Sequence, residues 1–376
     1  MSRATRSLLC RSPLLPGESL PSLLMRLLRK NCYRSLTMIG RLCRERLTFS
    51  DRVTQPTEAK TYQVLTELIG IDADELYAAS VHHFAATIMP PTHNRRSIVL
   101  PSGQIVPVSC DMFLCAHTWP ESDVQFCPLC LKESTYHRAS WMPLAASVCL
   151  VHRCLLVRGC PDCQANIKIQ NILDTICPNC GCELTDVSVI DVSADEFGLF
   201  SQMVIQSWLG ISIQTNTTER CSLPDQPSAV LYRVLDGLRR AVMGVKYSWE
   251  YLHQTPGRTD SSLFPCMSKR DITPTKSYIL YTTAFKGLIN WPRGFYDFLD
   301  AYQLRDGREL NGRIYKDFGH IYVPWLEKNW KSPAFQFIQD AFDQYLLDNY
   351  TVTPSLLRLR RIRHSPTFKA RFPCIT

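Results

Sequence analysis

The chain has 376 residues, of which 45% are hydrophobic and 20% charged, and this balance favours a globular protein over a disordered one. Its length predicts two or three domains, because a domain usually has about 100 to 200 residues. No stretch reaches about eighteen uninterrupted apolar residues, so we expect no membrane-spanning helix.

The net charge of +8 is distributed unevenly along the chain. Residues 1–60 carry +8 and residues 351–376 carry +6, which leaves −6 for the middle. Basic ends favour a polyanionic partner, because each Lys or Arg placed on a phosphate releases condensed counterions. We therefore expect contact with nucleic acid or a nucleoprotein. The alternative is that the charged ends only aid solubility.

The N-terminal segment lacks the unbroken apolar centre and the small-residue cleavage site of a secretory signal. We therefore expect a cytoplasmic protein, in which the seventeen cysteines stay mostly reduced. Closely spaced cysteines in that compartment are better explained as metal ligands than as disulfides.

Residues 1–125 are predicted to form an N-terminal helical domain with a connector. Its first helix begins after Ser19, a suitable N-cap, and ends near Asn31. The apolar stripe of this helix consists of Leu20, Leu23, Leu24, Leu27 and Leu28. The stripe predicts an amphipathic helix packed on a core.

Two shorter helices are predicted over 57–69 and 72–86, and Pro101-Ser102-Gly103 indicates a hairpin within the connector, residues 90–125. Helices with tight joints are compatible with a helix-turn-helix, which makes this domain helix-turn-helix-like. Plain helical domains have such joints as well, so both interpretations stay open.

Residues 126–190 are predicted to be a tandem zinc-binding block. Four pairs of ligand-type residues have two residues between their members: Cys127 and Cys130, Cys149 and His152, Cys160 and Cys163, Cys177 and Cys180. This spacing lets the chain turn so that both ligands face one ion, and two pairs complete the tetrahedron that zinc prefers. Four pairs therefore predict two structural Zn²⁺ ions.

The pairs can combine in two ways. Sequential pairing joins the first pair to the second and the third to the fourth, with eighteen and thirteen residues between the halves. An interleaved cross-brace joins the first to the third and the second to the fourth, and the sequential order is favoured. Cys154 and Cys182 are left over. We expect both to be small buried residues, with a ligand swap as the alternative.

Residues 191–376 are predicted to form a C-terminal helical domain with a basic tail. Helical patterns cover 193–209, 228–243, 292–303 and 333–349, and loop-type composition covers 210–227 and 253–278. Together these patterns predict a mainly α fold with small zinc-ribbon or knuckle β elements.

Basic side chains near both ends are the candidates for binding nucleic acid or a partner. They are Arg26, Arg29, Lys30, Arg34, Arg41, Arg44, Arg46, Arg358, Arg360, Arg361 and Arg363. Arginine suits both bidentate guanine contacts and phosphate contacts, so its presence does not distinguish the two. The alternative for the C-terminal members is a solvated tail.

Catalytic motifs are absent from the sequence. His-x-Glu ahead of the cysteine pairs, HExxH, the Walker-type loop and the GxSxG elbow do not occur. Four-ligand sites also leave no open position at which zinc activates water. We therefore expect no enzyme activity, with a metalloenzyme as the alternative.

Three stretches carry a likeness to one known family. They are Pro16-Gly17-Glu18-Ser19-Leu20 with Ser22 and Arg26-Leu27; the cysteine block with Tyr136, Arg138 and Trp141; and Leu288-Ile289-Asn290-Trp291-Pro292 through Tyr345. In these stretches the chain resembles the TniQ/TnsD family of transposon target-site-selection proteins. The cysteine block is the specific part, and Leu23 departs from the Trp that the family has there.

The resemblance implies a non-catalytic adaptor. Short family members associate with an RNA-guided CRISPR Cascade complex, look like homodimers, and recruit an AAA+ transposition regulator and the transposase to target DNA. Long members bind an attachment-site DNA directly. This chain is of the shorter kind, so we expect the Cascade-associated type, at the nucleoid of a bacterial cytoplasm. A sequence-specific attachment-site binder is the alternative.

Overall fold

The computed structural model describes residues 7–33, 38–39, 53–89, 96–108, 117–211, 222–243, 272–304, 332–349 and the single residues 318, 321 and 326. These residues are mainly helical with small strands, which confirms the predicted fold class. Within these ranges no helix is both long and apolar enough to span a membrane.

The chain divides into two units. Unit 1 comprises Met1–Gln214 and Thr273–Tyr278, and unit 2 comprises Thr215–Ile272 and Ile279–Thr376. Unit 1 thus contains both the N-terminal helical region and the cysteine block. The finer division at residues 125 and 190 stays a prediction.

The N-terminal helices of unit 1 follow the apolar pattern of the sequence. They are α1 (Leu20–Lys30), α2 (Ala59–Ile69), α3 (Ala73–Ala78), a 3₁₀ turn (Val81–Phe84) and α4 (Ala85–Ile88). Ser19 caps α1, and the predicted leucine stripe is fully buried. Gly70 ends α2 in the left-handed conformation that glycine adopts without strain.

The single helix predicted over 72–86 was wrong. The chain breaks after α3 because the Ser80 hydroxyl accepts a hydrogen bond from the His82 N–H, 3.2 Å away, and starts the 3₁₀ turn. The hairpin prediction is confirmed: β1 (Ser97–Val99) pairs with β2 (Ile105–Pro107) in antiparallel register.

The cysteine block of unit 1 has short strands and helices. They are β3 (Gln125–Phe126), α5 (Pro128–Glu133), a 3₁₀ turn (Ala139–Trp141), β4 (Val148–Cys149), β5 (Cys154–Leu155), β6 (Val157–Arg158) and α6 (Ile169–Asp174). Strand β3 pairs with β6, and β4 pairs with β5, both antiparallel. Helix α7 (Glu196–Trp208) follows, capped by Asp195, and confirms the helix predicted over 193–209.

The remaining helices are α8 (Ser228–Met243), α9 (Pro274–Lys286), α10 (Arg293–Leu304), a 3₁₀ turn (Pro333–Phe335) and α11 (Gln336–Asn349). Helix α9 was not predicted, and the loop assigned to 253–278 was wrong at its end. The Thr273 hydroxyl accepts from the Lys276 N–H at 3.2 Å and opens the helix ahead of Pro274. In unit 2, Phe318 packs edge-on against Phe342 and Tyr345.

Candidate metal centres

The first candidate centre consists of Cys127, Cys130, Cys149 and His152, whose ligand atoms all lie within 4.8 Å of one another. Cys127 precedes α5 and Cys130 lies in its first turn, while Cys149 ends β4 and His152 lies in the turn before β5. The three sulfurs are 3.3 to 3.6 Å from Nδ1 of His152.

The second candidate centre consists of Cys160, Cys163, Cys177 and Cys180, again within 4.8 Å of one another. Cys160 and Cys180 sulfurs are 3.6 Å apart, as are those of Cys163 and Cys177. The structure therefore brings the pairs together in sequential order, and the interleaved cross-brace does not describe it.

Both loops of the second centre are turns closed by backbone hydrogen bonds. The Cys160 N–H donates to the Ala165 carbonyl at 2.8 Å, and the Cys177 N–H donates to the Cys182 carbonyl at 2.9 Å. Each loop also contains a residue with positive φ, Gln164 at 60° and Gly181 at 77°. The two loops are thus built alike and present their sulfurs to a common point.

The pKa values of the ligand thiols are shifted in opposite directions. The hydrogen bond with Cys130 lowers the pKa of the Cys127 thiol to about 7, and the same interaction raises the pKa of Cys130. Burial raises the pKa of Cys160, but backbone N–H groups of Cys163 and Asp162 lower it to about 6 overall. Because the thiolate is the metal-binding form, the lowered pKa values favour metal binding by Cys127 and Cys160.

The donor sets fit a tetrahedral ion. With zinc–sulfur bonds of about 2.3 Å, two ligand sulfurs in a tetrahedron are about 3.8 Å apart. The observed Cys130–Cys149 and Cys163–Cys177 separations of 3.6 Å come close to that spacing. Both sets could hold a metal ion and are consistent with zinc.

Glu133 orients the imidazole of the first centre. Its carboxylate lies 3.0 Å from Nε2 of His152, which leaves Nδ1 facing the three sulfurs. A carboxylate on the distal nitrogen fixes the ring orientation and makes the other nitrogen a better ligand. Burial lowers the pKa of His152, but Cys149, Cys127 and Glu133 raise it, and the net shift is upward.

The two remaining cysteines differ from each other. Cys154 is buried, as expected, with its sulfur 3.7 Å from that of Cys127. Cys182 is only half-buried, and its sulfur lies 3.3 Å from that of Cys160. Cys182 is therefore not the plain buried residue that we expected.

The segment between the two ligand pairs of the first centre, residues 131–148, is called the spacer here. It packs on the start of α1. The Ser19 N–H donates to the His137 carbonyl at 2.9 Å, and the Ser19 hydroxyl lies 2.9 Å from Nδ1 of His137. The Ala139 N–H donates to the Gly17 carbonyl at 2.8 Å. The Tyr136 hydroxyl donates to the Pro16 carbonyl at 2.8 Å. Two stretches that are far apart in the sequence thus form one structure.

Arg138 completes the spacer by stacking on its two aromatic neighbours. Its guanidinium carbon lies 5.4 Å from the centre of the Tyr136 ring and 5.6 Å from that of Trp141. Cation–π contacts of this kind hold the spacer in a fixed conformation. The Tyr/Arg/Trp spacing in the sequence therefore has a packing role.

Arg26, a predicted nucleic-acid residue, is engaged inside unit 1. Its guanidinium donates to the buried carboxylate of Glu18 at 3.0 and 2.7 Å and to the Pro13 carbonyl at 2.7 Å. Glu18 also accepts from the Ser22 hydroxyl at 3.1 Å. This network holds the Pro16–Ser19 turn against α1.

Arg29 and Lys30 also have partners in unit 1. Arg29 forms an ion pair with Asp174 at 2.8 Å and donates to the Gln170 carbonyl at 2.9 Å, which ties α1 to α6. Lys30 donates to the Ser12 hydroxyl at 2.6 Å. The other predicted residues, Arg34, Arg41, Arg44, Arg46, Arg358, Arg360, Arg361 and Arg363, lie outside the described residues. Nucleic-acid contact by any of these side chains stays a prediction.

Sequence reasoning missed Glu133, Glu18 and Asp174. Glu133 lies three residues after Cys130 on a helix, and that spacing places it on the same face, a signal that a search for ligand neighbours could use. The Glu18–Arg26 and Arg29–Asp174 pairs depend on tertiary contacts, which no local pattern contains.

A search among curated proteins found no match to the chain. Residues 9–156 match the model of the family described as TniQ. The matched range contains the docked Pro16–Ser19 turn and the whole first centre, and it ends before the second centre. Residues 9–156, less than half of the chain, therefore form a TniQ domain.

Proposed function

We propose that this protein is a non-catalytic adaptor for the selection of transposition targets. It associates with an RNA-guided CRISPR Cascade complex and recruits an AAA+ transposition regulator, and with it the transposase, to target DNA. The TniQ domain supports a transposition-associated function of the TniQ/TnsD type. The Cascade association and the recruited partners are the finer part of the proposal.

The observation that carries the proposal is the docking of the spacer on α1. Ser19 and His137 are both buried, at 0% and 1% exposed, and join the helical region to the first centre through paired hydrogen bonds. Buried hydrogen bonds between two segments favour one relative arrangement of them, because separating the segments would leave these groups unpaired. A fixed surface suits a protein that brings other proteins together.

We further propose that each centre holds one structural Zn²⁺. Three thiolates with an imidazole, and four thiolates, are donor sets of closed zinc sites. Such ions contribute on the order of 10 kcal/mol to folding, since the site does not exist in the unfolded chain. With four protein ligands each, the ions have no open position for substrate, which supports an adaptor over a metalloenzyme.

The internal contacts of α1 favour the adaptor over a direct reader of attachment-site DNA. Arg26 is used by Glu18 and Arg29 by Asp174, so neither guanidinium is free for bidentate base contacts without breaking an ion pair. The adaptor works as a homodimer in the bacterial cytoplasm, at the nucleoid.

The test compares two binding experiments on the full chain. The first is co-purification with a reconstituted Cascade complex carrying guide RNA and with the AAA+ regulator of the same transposon. The second is titration with naked duplex attachment-site DNA over a range of salt. We expect a stable complex in the first experiment and weak, sequence-independent binding in the second.

The opposite result would overturn the Cascade assignment. Preference for one naked duplex by about a thousandfold or more, with no Cascade association, would identify a direct DNA reader. Cys127→Ser removes a ligand of the first centre. This variant should fail to form the Cascade complex, because the proposed interaction needs a folded first centre.

A further inference from the structure

We propose that the second centre has a fifth ligand: Cys182 takes the place of Cys180 on the metal when the Cys180 sulfur is displaced or blocked. This inference rests on the metal-binding part of the proposed function.

The sulfur of Cys182 lies beside one edge of the ligand tetrahedron. It is 3.3 Å from the Cys160 sulfur, closer than the 3.6 Å between Cys160 and Cys180. Cys180, Cys182 and the Asp162 carboxylate also lie within 4.8 Å of one another. Cys182 is therefore within ligand distance of the edge that Cys160 and Cys180 define.

The link between Cys180 and Cys182 permits the exchange. The single residue between them is Gly181, at φ 77°, and a side chain there would meet no atom within 4 Å. Glycine with open space around it can change its backbone angles at low cost. The Cys177 N–H to Cys182 carbonyl bond anchors the far end of the turn, so a small rotation can exchange which sulfur faces the ion.

Accessibility selects Cys180 as the ligand that leaves. Cys180 is exposed, whereas Cys160 and Cys177 are buried. In the exchange the Cys180–metal bond breaks, the Cys182–metal bond forms, and the Cys182 proton passes through solvent to the Cys180 thiolate. The ion keeps four sulfur ligands and the same charge, so no oxidant or other reactant is needed.

The first centre has an extra thiol that cannot do this. Cys154 is 1% exposed and lies in β5, where it pairs with Cys149 of β4 and bridges to Asp191. Strand pairing on both sides fixes its backbone, and His152 is held in place by Glu133. Exchange is therefore a property of the second centre.

The test measures metal content and the ligand set in purified full-length variants. Bound zinc is counted by elemental analysis after dialysis against a competing chelator, and cobalt replaces zinc so that thiolate-to-metal absorption reports the number of sulfurs. Cys180→Ser and Cys182→Ser should each keep two ions, with the absorption of the second centre unchanged. The Cys180→Ser, Cys182→Ser double variant should lose one ion or show weaker absorption. Cys177→Ser should lose one ion, because Cys177 is buried and the exchange about Gly181 does not replace it.

Loss of one ion from Cys180→Ser alone, equal to the loss in the double variant, would overturn the exchange. So would full metal retention with unchanged thiolate absorption in the double variant, because neither Cys180 nor Cys182 would then be needed as a ligand. Wild-type protein with fewer than two ions would instead overturn the metal assignment, and failure to bind Cascade would leave the exchange standing. The readouts thus separate this inference from the proposed function.

Discussion

The two candidate metal centres do the same structural task with different degrees of burial. In each, the two ligand pairs bracket a segment that contacts α1: the spacer with His137 in the first centre, and α6 with Asp174 in the second. The spacer contact is buried, with Ser19 at 0% exposed, whereas Arg29 and Asp174 side chains are 39% and 52% exposed. The polar contact at the start of α1 is therefore buried, whereas the ion pair near its end is exposed.

The family match follows the same division, since it covers the first centre and ends at residue 156, before the second. The difference teaches that similar ligand spacing does not imply a similar energetic role. A buried contact loses both packing and hydrogen bonds when its anchor fails, whereas an exposed ion pair exchanges its partner for water at small cost.

Loss of each metal should give the largest effects and should differ between the centres. Cys127→Ser should release one ion and lower the free energy of unfolding by more than about 4 kcal/mol, because the spacer loses its anchor. Cys177→Ser should also release one ion but cost less stability. Elemental analysis and urea unfolding check both variants, with Cys10→Ser, an exposed cysteine outside both ligand sets, as the control. Equal stability losses would contradict a larger contribution of the first centre to the stability of the fold.

Substitution of two arginines on α1 tests the contacts at its two ends and leaves the metal ligands unchanged. Arg26→Met leaves the fully buried Glu18 carboxylate without its cation, and we expect a loss of about 3 kcal/mol. Arg29→Met removes an exposed pair and should cost less than about 1 kcal/mol. Urea midpoints give both values. If Arg29→Met were the more destabilising, the end of α1 would be the better anchored.

Much of this architecture was predictable from sequence because its signals are local. The leucine stripe of α1, the Ser19 cap and the Cys-x-x-Cys spacings each report on a few neighbouring residues. The role of Arg26 was not predictable, because a lone arginine in a basic segment has the same local pattern whether it contacts phosphate or a buried acid. Helix α9 was missed for a similar reason, since its start at Thr273-Pro274 looks like loop composition.

The Glu133 carboxylate, which contacts Nε2 of His152, should raise the metal affinity of the first centre. Glu133→Ala removes the group that orients the imidazole, so the first centre should bind its ion about 10- to 100-fold more weakly. Glu183→Ala is the control, because that carboxylate accepts a hydrogen bond from the Thr175 hydroxyl instead of contacting an imidazole ligand. Competition with a chelator measures both affinities. Equal weakening by the two variants would contradict an orienting role.

The stability of the spacer contact should also depend on pH. Burial lowers the pKa of His137 from its ordinary value of 6.5 to about 3, although the Gln125 backbone opposes the shift. The folded state therefore binds fewer protons than the unfolded state between these values, so stability falls as pH drops below 6.5 and continues to fall towards 3.

Between about pH 7.5 and about pH 5.5, protonation of His137 in the unfolded state should lower the free energy of unfolding by about 1.4 kcal/mol, since one pKa unit corresponds to about 1.36 kcal/mol. His137→Gln keeps a side-chain group able to reach Ser19 but does not titrate, so its stability should fall less than that of the wild type over the same range. The difference between the two proteins removes the shared effect of acid on the thiolates. Identical pH dependence in urea unfolding would mean that His137 becomes charged without leaving its site, and the first-centre contact would then be less closed than its burial indicates.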